Sequence, residues 1–292
     1  MPELPDLLYI RDRLRTTALH RPIRSVTVKE PVILRNALDR PVEELLTGRG
    51  FTDVVIHGPF LRLPTTGPAE VVINLMLAGR LQLLTPEERP VPYLAVRFDF
   101  DAGLSLLLGD EEKMAKLYLV PAGDFRAVLG YLTQGIDILS PEFTPDLFRT
   151  LAHRHSRKQV RSFINDHEVL SSIGNAYADE ILFEARVHPK TLVAHLSAEQ
   201  VLAVYEAIRS VMAWGIGAVR EAGQPIHVKV RDHLKVRNRK GEPCPRCSTT
   251  IRREGVRGYD VFFCPSCQQP TRRVFVDWRR VPGNGVQTDP HG

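Results

Sequence analysis

All four cysteines of the 292-residue chain fall at Cys244, Cys247, Cys264 and Cys267, a C-x2-C-x16-C-x2-C spacing. Two thiolate pairs at that interval read as a four-coordinate zinc site, which draws two turns of chain into one small hairpin. With no cysteine outside the motif, a disulfide framework is the weaker reading. One structural zinc ion is therefore expected, ligated by these four residues.

The opposite end, MPELPDLLYI, carries the second constraint. Removal of Met1 would expose the secondary amine of Pro2 at a helix start, beside the carboxylate of Glu3. A helix dipole disfavours the protonated amine there and leaves more of it nucleophilic. Taken alone, a proline and a glutamate in a first helical turn are ordinary. The formal net charge of +5 hides a strong asymmetry: from Gly223 to Arg280 there are 14 Lys/Arg against 5 Asp/Glu, a local net of +9, so the remainder carries −4. A localised basic segment is the footprint of phosphate binding through counterion release, solvated charge without a partner being the alternative. An amine nucleophile and a zinc module on such a chain suggest an enzyme acting on DNA.

The length and the 43% hydrophobic content allow two cored domains, or a large one with a small appendage, and exclude a disordered protein. No run approaches the roughly 18 to 20 apolar residues of a membrane span, and the N-terminus is too densely charged for a secretory signal. No membrane association and cytoplasmic residence are expected.

Periodicity predicts an amphipathic helix from about Glu3 to Thr17, with Leu4, Leu7, Leu8 and Leu14 at helical spacing. Short apolar runs broken by Gly and Pro follow, at Ser25–Val28, Phe51–Ile56, Val71–Leu77, Gly79–Leu84, Leu94–Phe100 and Leu104–Leu108. They suit two packed antiparallel sheets. The prolines of residues 136–146 mark a linker. Helices are expected over Asp146–Arg154, Lys158–Glu168, Tyr177–Ala185 and Ala198–Ala222, with Gly174-Asn175 as a turn in which Asn175 caps the next helix. Basic and apolar residues alternate from Val228 to Lys240, leading into the zinc hairpin. The expected fold is α+β: an N-terminal helix and two-layer antiparallel β-sandwich (1–135), the linker, a helical DNA-binding domain (147–223), the basic segment and zinc hairpin (224–280), and a disordered tail (281–292).

Pro2-Glu3-Leu4-Pro5, Gly174-Asn175-Ala-Tyr-Ala-Asp-Glu180 and Cys264-Pro-Ser-Cys267-Gln268, in this order and at these distances, resemble the formamidopyrimidine-DNA glycosylase / endonuclease VIII family. The resemblance covers about Met1 to Gln268. It implies an N-terminal sandwich, a helix-two-turn-helix domain and a zinc hairpin acting as a monomer on damaged double-stranded DNA in the cytoplasm, in association with the nucleoid. It also implies a base-excision DNA glycosylase and abasic-site lyase. Pro2 would attack the sugar C1′ and form an iminium that draws electrons from C2′, while Glu3 protonates the opening sugar ring. Asn175, and Arg161 where relatives place a lysine, would hold the phosphates flanking the lesion.

The chain also departs from that pattern. His57-Gly58-Pro59-Phe60 lacks the lysine that glycosylase-type relatives carry near residue 58. The duplex-probing wedge, a Met, Arg and Phe in relatives, falls to Leu77, Met114 and Lys113. Tyr259 stands where the zinc-hairpin arginine is expected. An active enzyme with unusual lesion choice is favoured over a decayed, DNA-binding relative, because decay leaves no chemical reason to keep Pro2 and Glu3 together. A zinc-ribbon DNA-binding regulator without enzymatic history is the remaining alternative. Oxidised purines, oxidised pyrimidines, bulky adducts and crosslinks all fit as lesions.

Overall fold

A computed structural model describes residues 2–256 and 259–270. The expected disordered tail and the last part of the basic segment, 271–280, lie outside the described residues, as does Met1.

The N-terminal half comprises α1 (Leu4–Thr17), β1 (Ser25–Val28), β2 (Leu34–Asn36), α2 (Val42–Leu46), β3 (Val55–His57), β4 (Phe60–Pro64), β5 (Ala69–Asn74), β6 (Arg80–Leu84), β7 (Leu94–Asp99), β8 (Ser105–Gly109) and β9 (Lys116–Pro121). Two sheets form, in the orders β1-β7-β8-β6 and β2-β9-β5-β4-β3. Every pairing is antiparallel except β2 with β9. The expected two-layer antiparallel sandwich is present, with one parallel pairing at its edge: the chain between β2 and β9 is long enough to bring the edge strand back in parallel.

Between the sheets Phe51, Val71, Ile73, Phe98, Leu106 and Leu117 are fully buried, and Phe51 meets Phe98 edge-on with ring centroids 5.8 Å apart. Val72 faces the other way, into a second cluster with Phe60, Tyr118 and Tyr131. Both faces of β5 are covered, so its sequence reads as a continuous apolar run rather than an alternation. β4 lies between Pro59 and Pro64, which hides it from a pattern search, and of the Phe51–Ile56 run only the end is strand.

The second half holds β10 (Ile136–Asp137), α3 (Pro145–Arg154), α4 (Val160–Ile164), β11 (Leu170–Ser171), α5 (Asn175–Glu184) and α6 (Ala198–Ala222). The hairpin of β12 (Arg252–Val256) and β13 (Tyr259–Phe263) follows. The stretch expected as a linker is docked: β10 pairs with β11, and Ile138 and Phe143 are buried in the helical core. α4 is shorter than the expected 158–168 helix because Asn165 ends it and the Asp166 carbonyl accepts from the amides of Val169 and Leu170 at 2.8 Å.

α6 starts on a reciprocal Ser197/Gln200 cap and ends on Gly223 in the left-handed region, at φ 57°. By length and composition alone it could cross a membrane, which the apolar-run search did not anticipate. Its stripe of Val204, Ala207, Ile208, Val211 and Met212 instead builds the core of the helical domain. Gly215 on this helix lets α5 approach closely, since a Cβ there would stand 2.3 Å from the Tyr177 ring. α1 serves both halves: Leu7, Ile10 and Leu14 enter the sandwich core, while Leu4 and Leu8 enter the helical one.

Candidate active site and zinc module

Pro2 and Glu3 lead into α1 at the junction of the two cores. Glu3 is the extended N-cap residue, and its amide donates to Asp6 Oδ2 at 2.8 Å. Its side chain reaches across the junction. The carboxylate, 6% exposed, accepts from the amides of Ala176 at 2.8 Å and Tyr177 at 3.1 Å. The first amides of a helix have no partner within it, so α5 receives its cap from the other domain. The expected capping by Asn175 is thereby corrected. Gly174 holds the cap position, and Asn175 opens the helix with its Oδ1 accepting from Arg161 Nη2 and Asn165 Nδ2, each at 3.0 Å. Burial pushes the Glu3 carboxyl above its ordinary range, although the two amides and the Arg231 charge pull it back. Glu3 therefore keeps a proton to higher pH than a surface glutamate, as an acid catalyst must.

The fit leaves no space beside it. A Cβ on Gly174 would lie 2.2 Å from Glu3 Cδ. Gly174→Ala should displace this carboxylate and cut base excision on the order of 10²-fold, while loss of the α5 cap lowers stability by about 1 to 3 kcal/mol and leaves the protein folded. Single-turnover excision and a thermal melt check it, and equal excision rates would mean that Glu3 simply adapts.

Pro2 is buried and lines a small cavity with Asp6, Leu75, Arg80, His227 and Lys229. Asp6 is fixed by Arg231, which donates to it at 2.9 and 2.6 Å. The register Asn74↔Lys116 sets the loop after β5 beside the loop before β9, so Leu77 (54% exposed) and Met114 (37% exposed) emerge from neighbouring loops. Lys113 pairs with Glu30 at 2.9 Å. Leu77 and Met114 have the apolar exposure that a wedge requires.

The cations expected to meet phosphate are mostly engaged within the protein. Arg161, 3% exposed, donates to Asp179 Oδ1 at 2.9 Å and also holds Asn175. Its expected direct phosphate contact is thus replaced by an internal one. Arg237 takes the other oxygen of Asp179 at 2.8 Å. Glu180 accepts from the backbone amides of Lys235, Val236 and Arg237, each at 2.9 Å, which bends the alternating basic segment into turns over α5. Two carboxylates this deeply buried are tolerated because Asp179 is paired with two arginines and Glu180 is hydrogen-bonded by three backbone amides. Tyr259 begins β13 opposite Val256. Asp6, Tyr177, Asp179 and Glu180 were given no role from sequence, although the last three lie in the quoted Gly174–Glu180 motif. The signals were an acid three residues after the Glu3 cap and an Asp-Glu doublet inside an otherwise apolar helix.

Cys244, Cys247, Cys264 and Cys267 converge so that their sulfurs lie within 4.8 Å of one another. Separations of 3.4, 3.5 and 3.9 Å bracket the edge of about 3.8 Å for a tetrahedron with Zn–S bonds of about 2.3 Å. The amides of Arg246 and Cys267 donate to Cys244 and Cys264 Sγ at 3.4 Å, as amides do around zinc thiolates. The donor set fits one structural zinc ion. Gln268, fully buried, fastens the site to the body: its amide group donates to the Val187 carbonyl and accepts from the Cys264 amide, both at 3.0 Å. Stripping the metal should therefore free the hairpin and lower DNA affinity while the two cores stay folded. Metal analysis with a DNA-binding titration before and after chelation checks this, and unchanged affinity in metal-free protein refutes it.

Three family models match the chain in succession: the formamidopyrimidine-DNA glycosylase N-terminal domain over residues 1–117, the formamidopyrimidine-DNA glycosylase H2TH domain over 134–224, and the zinc finger found in FPG and IleRS over 241–270. The formamidopyrimidine-DNA glycosylase of Symbiobacterium thermophilum is 32% identical over 97% of this chain and 94% of its own. Among solved structures, the MutM (Fpg) protein of Thermus thermophilus superposes with a TM-score of 0.80 at 29% identity, covering 92% of this chain and 99% of that one. The Lactococcus lactis formamidopyrimidine-DNA glycosylase bound to DNA containing an abasic site has a TM-score of 0.80 over 92% of this chain and all of its own, and at 22% identity shows the shared fold.

Proposed function

Because the chain belongs to the formamidopyrimidine-DNA glycosylase family, we propose that it excises damaged bases from double-stranded DNA and nicks the resulting abasic strand, with Pro2 as nucleophile and Glu3 as acid. The observation that carries this reading is the buried Glu3 carboxyl, held by two α5 amides directly beside Pro2. The Pro2 amine, freed by removal of Met1, attacks the sugar C1′. Glu3 gives its proton to the ring oxygen, the ring opens and the base departs. The adduct of a secondary amine is a cationic iminium, an electron sink that needs no further activation.

Asn175 faces the phosphates, and Arg161 is a positioning residue that holds Asn175. Leu77 and Met114 enter the stack as the base leaves it, with Lys113 beside them on the backbone. Tyr259 takes the hairpin arginine's place, and the zinc module presses the basic segment onto the duplex. The protein acts as a monomer in the cytoplasm, at the nucleoid.

Untagged protein incubated with duplexes that carry different lesions, plus borohydride, should yield a covalent complex with at least one of them. DNA binding without any trapped complex would replace this reading with that of a decayed, binding-only relative.

The β3–β4 turn bears on the products. Gly58, at φ 54°, precedes Pro59, and the turn projects no amine; His57 Nε2 instead meets the Tyr131 carbonyl at 2.8 Å. Without that lysine and the hairpin arginine, expulsion of the 3′ phosphate should outrun expulsion of the 5′ phosphate. Gel analysis should show nicks that retain a sugar fragment on the 3′ end, and full conversion to a one-nucleotide gap would contradict this.

A further inference from the structure

We propose that the side-chain amine of Lys229 is the base that removes the C2′ proton in the elimination step. The inference rests on the amine mechanism just described and adds a residue to it. Lys229 lies on the segment between α6 and the hairpin and lines the same cavity as Pro2. Its Nζ donates to the Leu77 carbonyl at 3.1 Å, which tethers the amine to the loop whose Leu75 and Gly79 form another wall of that cavity. An iminium formed on Pro2 would thus be built within reach of this amine.

Glu3 is a poor sole candidate for the step. Both of its oxygens already accept helix amides, which fixes it on the α5 side of the junction. The charged surroundings of Lys229 favour a neutral amine. Burial, then the charges of Arg80 and Arg231, push its pKa below the ordinary lysine range, and Asp6 opposes them. Arg80, an exposed residue of the same lining, makes no ion pair or hydrogen bond among the described residues. His227 on the same wall is a competing base, its pKa pushed down by burial, whereas the Asp6 carboxylate is occupied by Arg231 and the Glu3 amide.

The step balances within the site. The neutral amine takes the C2′ proton and becomes an ammonium. The C–H electron pair becomes the C2′=C3′ double bond, conjugated with the iminium, and the C3′–O bond breaks as the 3′ phosphate leaves with its electrons.

The test uses full-length, untagged protein on a duplex with a preformed abasic site, comparing borohydride trapping with nicking in single turnover. Lys229→Met should trap at the wild-type yield but nick about 10² to 10⁴-fold more slowly. Lys229→Arg should be equally slow although it keeps the charge, because a guanidinium does not release its proton near neutral pH. Nicking should rise with pH in wild type, and this rise should vanish in both variants. Wild-type nicking by Lys229→Arg overturns the proposal and leaves a phosphate contact. So does a proportional loss of trapping and nicking in Lys229→Met, or loss of the pH-dependent rise in His227→Gln but not in the Lys229 variants. Absence of any trapped complex with wild type removes the amine mechanism and the role of Lys229 together.

Discussion

Protein that keeps any residue ahead of Pro2 should bind an abasic duplex and leave it uncut. An amide nitrogen has no lone pair to offer C1′, so neither iminium nor borohydride-trapped complex forms, and strand cleavage falls on the order of 10³-fold or more. Binding should survive, because the residues proposed to meet the DNA lie on other elements, the β5–β6 and β8–β9 loops and the start of α5. Pro2→Gly, processed to a free primary amine, should retain part of the activity, which separates loss of the nucleophile from loss of the fold. Paired binding and nicking assays on tagged and untagged protein decide it. Equal cleavage by both would show that Pro2 is not the nucleophile.

Glu3→Gln should separate the two chemistries. Opening the sugar ring needs a proton and the abasic aldehyde does not, so excision of a damaged base should fall by about 10² to 10⁴-fold while preformed abasic DNA is still bound and trapped. The pH dependence supplies an independent readout. Glu3 donates while protonated, and its pKa is lifted by burial. Excision by wild type should therefore persist from the acid side and fade as pH rises through that raised value. Nicking of preformed abasic DNA should lack this alkaline decline, and Glu3→Gln should lose it. Part of the loss could be geometric, since a glutamine offers one acceptor oxygen to two amides; thermal stability of the variant measures that share. An unchanged excision profile would remove Glu3 from the acid role.

Much of this was legible in the sequence. The zinc ligands follow from spacing, because a tetrahedral ion needs four donors and tolerates few intervals. α6 was delimited to the residue by its periodic stripe, and the structure adds the Ser197 and Gly223 caps that fix its ends. What escaped were features decided by long-range contact. β2 and β9 pair from opposite ends of the sandwich sequence, and nothing local announces the parallel register. β5 hides its alternation because a second cluster covers its outer face. In the site, Asn175 has every local qualification for a helix cap, yet a carboxylate 173 residues from the amide it binds takes the position. Similarly, the arginines of the basic segment read as a phosphate footprint until Asp6 and Asp179 are seen to neutralise two of them. Charge counted along a chain says little about charge left over after folding.

The double allegiance of α1 has a consequence for inheritance. Leu7 and Leu8 are adjacent in the chain but answer to different cores. A substitution at either is screened by one half of the molecule only, whereas any shift of the helix axis is screened by both. Recombination that grafted the sandwich onto a foreign helical partner would leave Leu4 and Leu8 without a matching surface and Glu3 without the amides of Ala176 and Tyr177. The two halves are thus confined to descending together, as a single heritable unit despite their separate interiors.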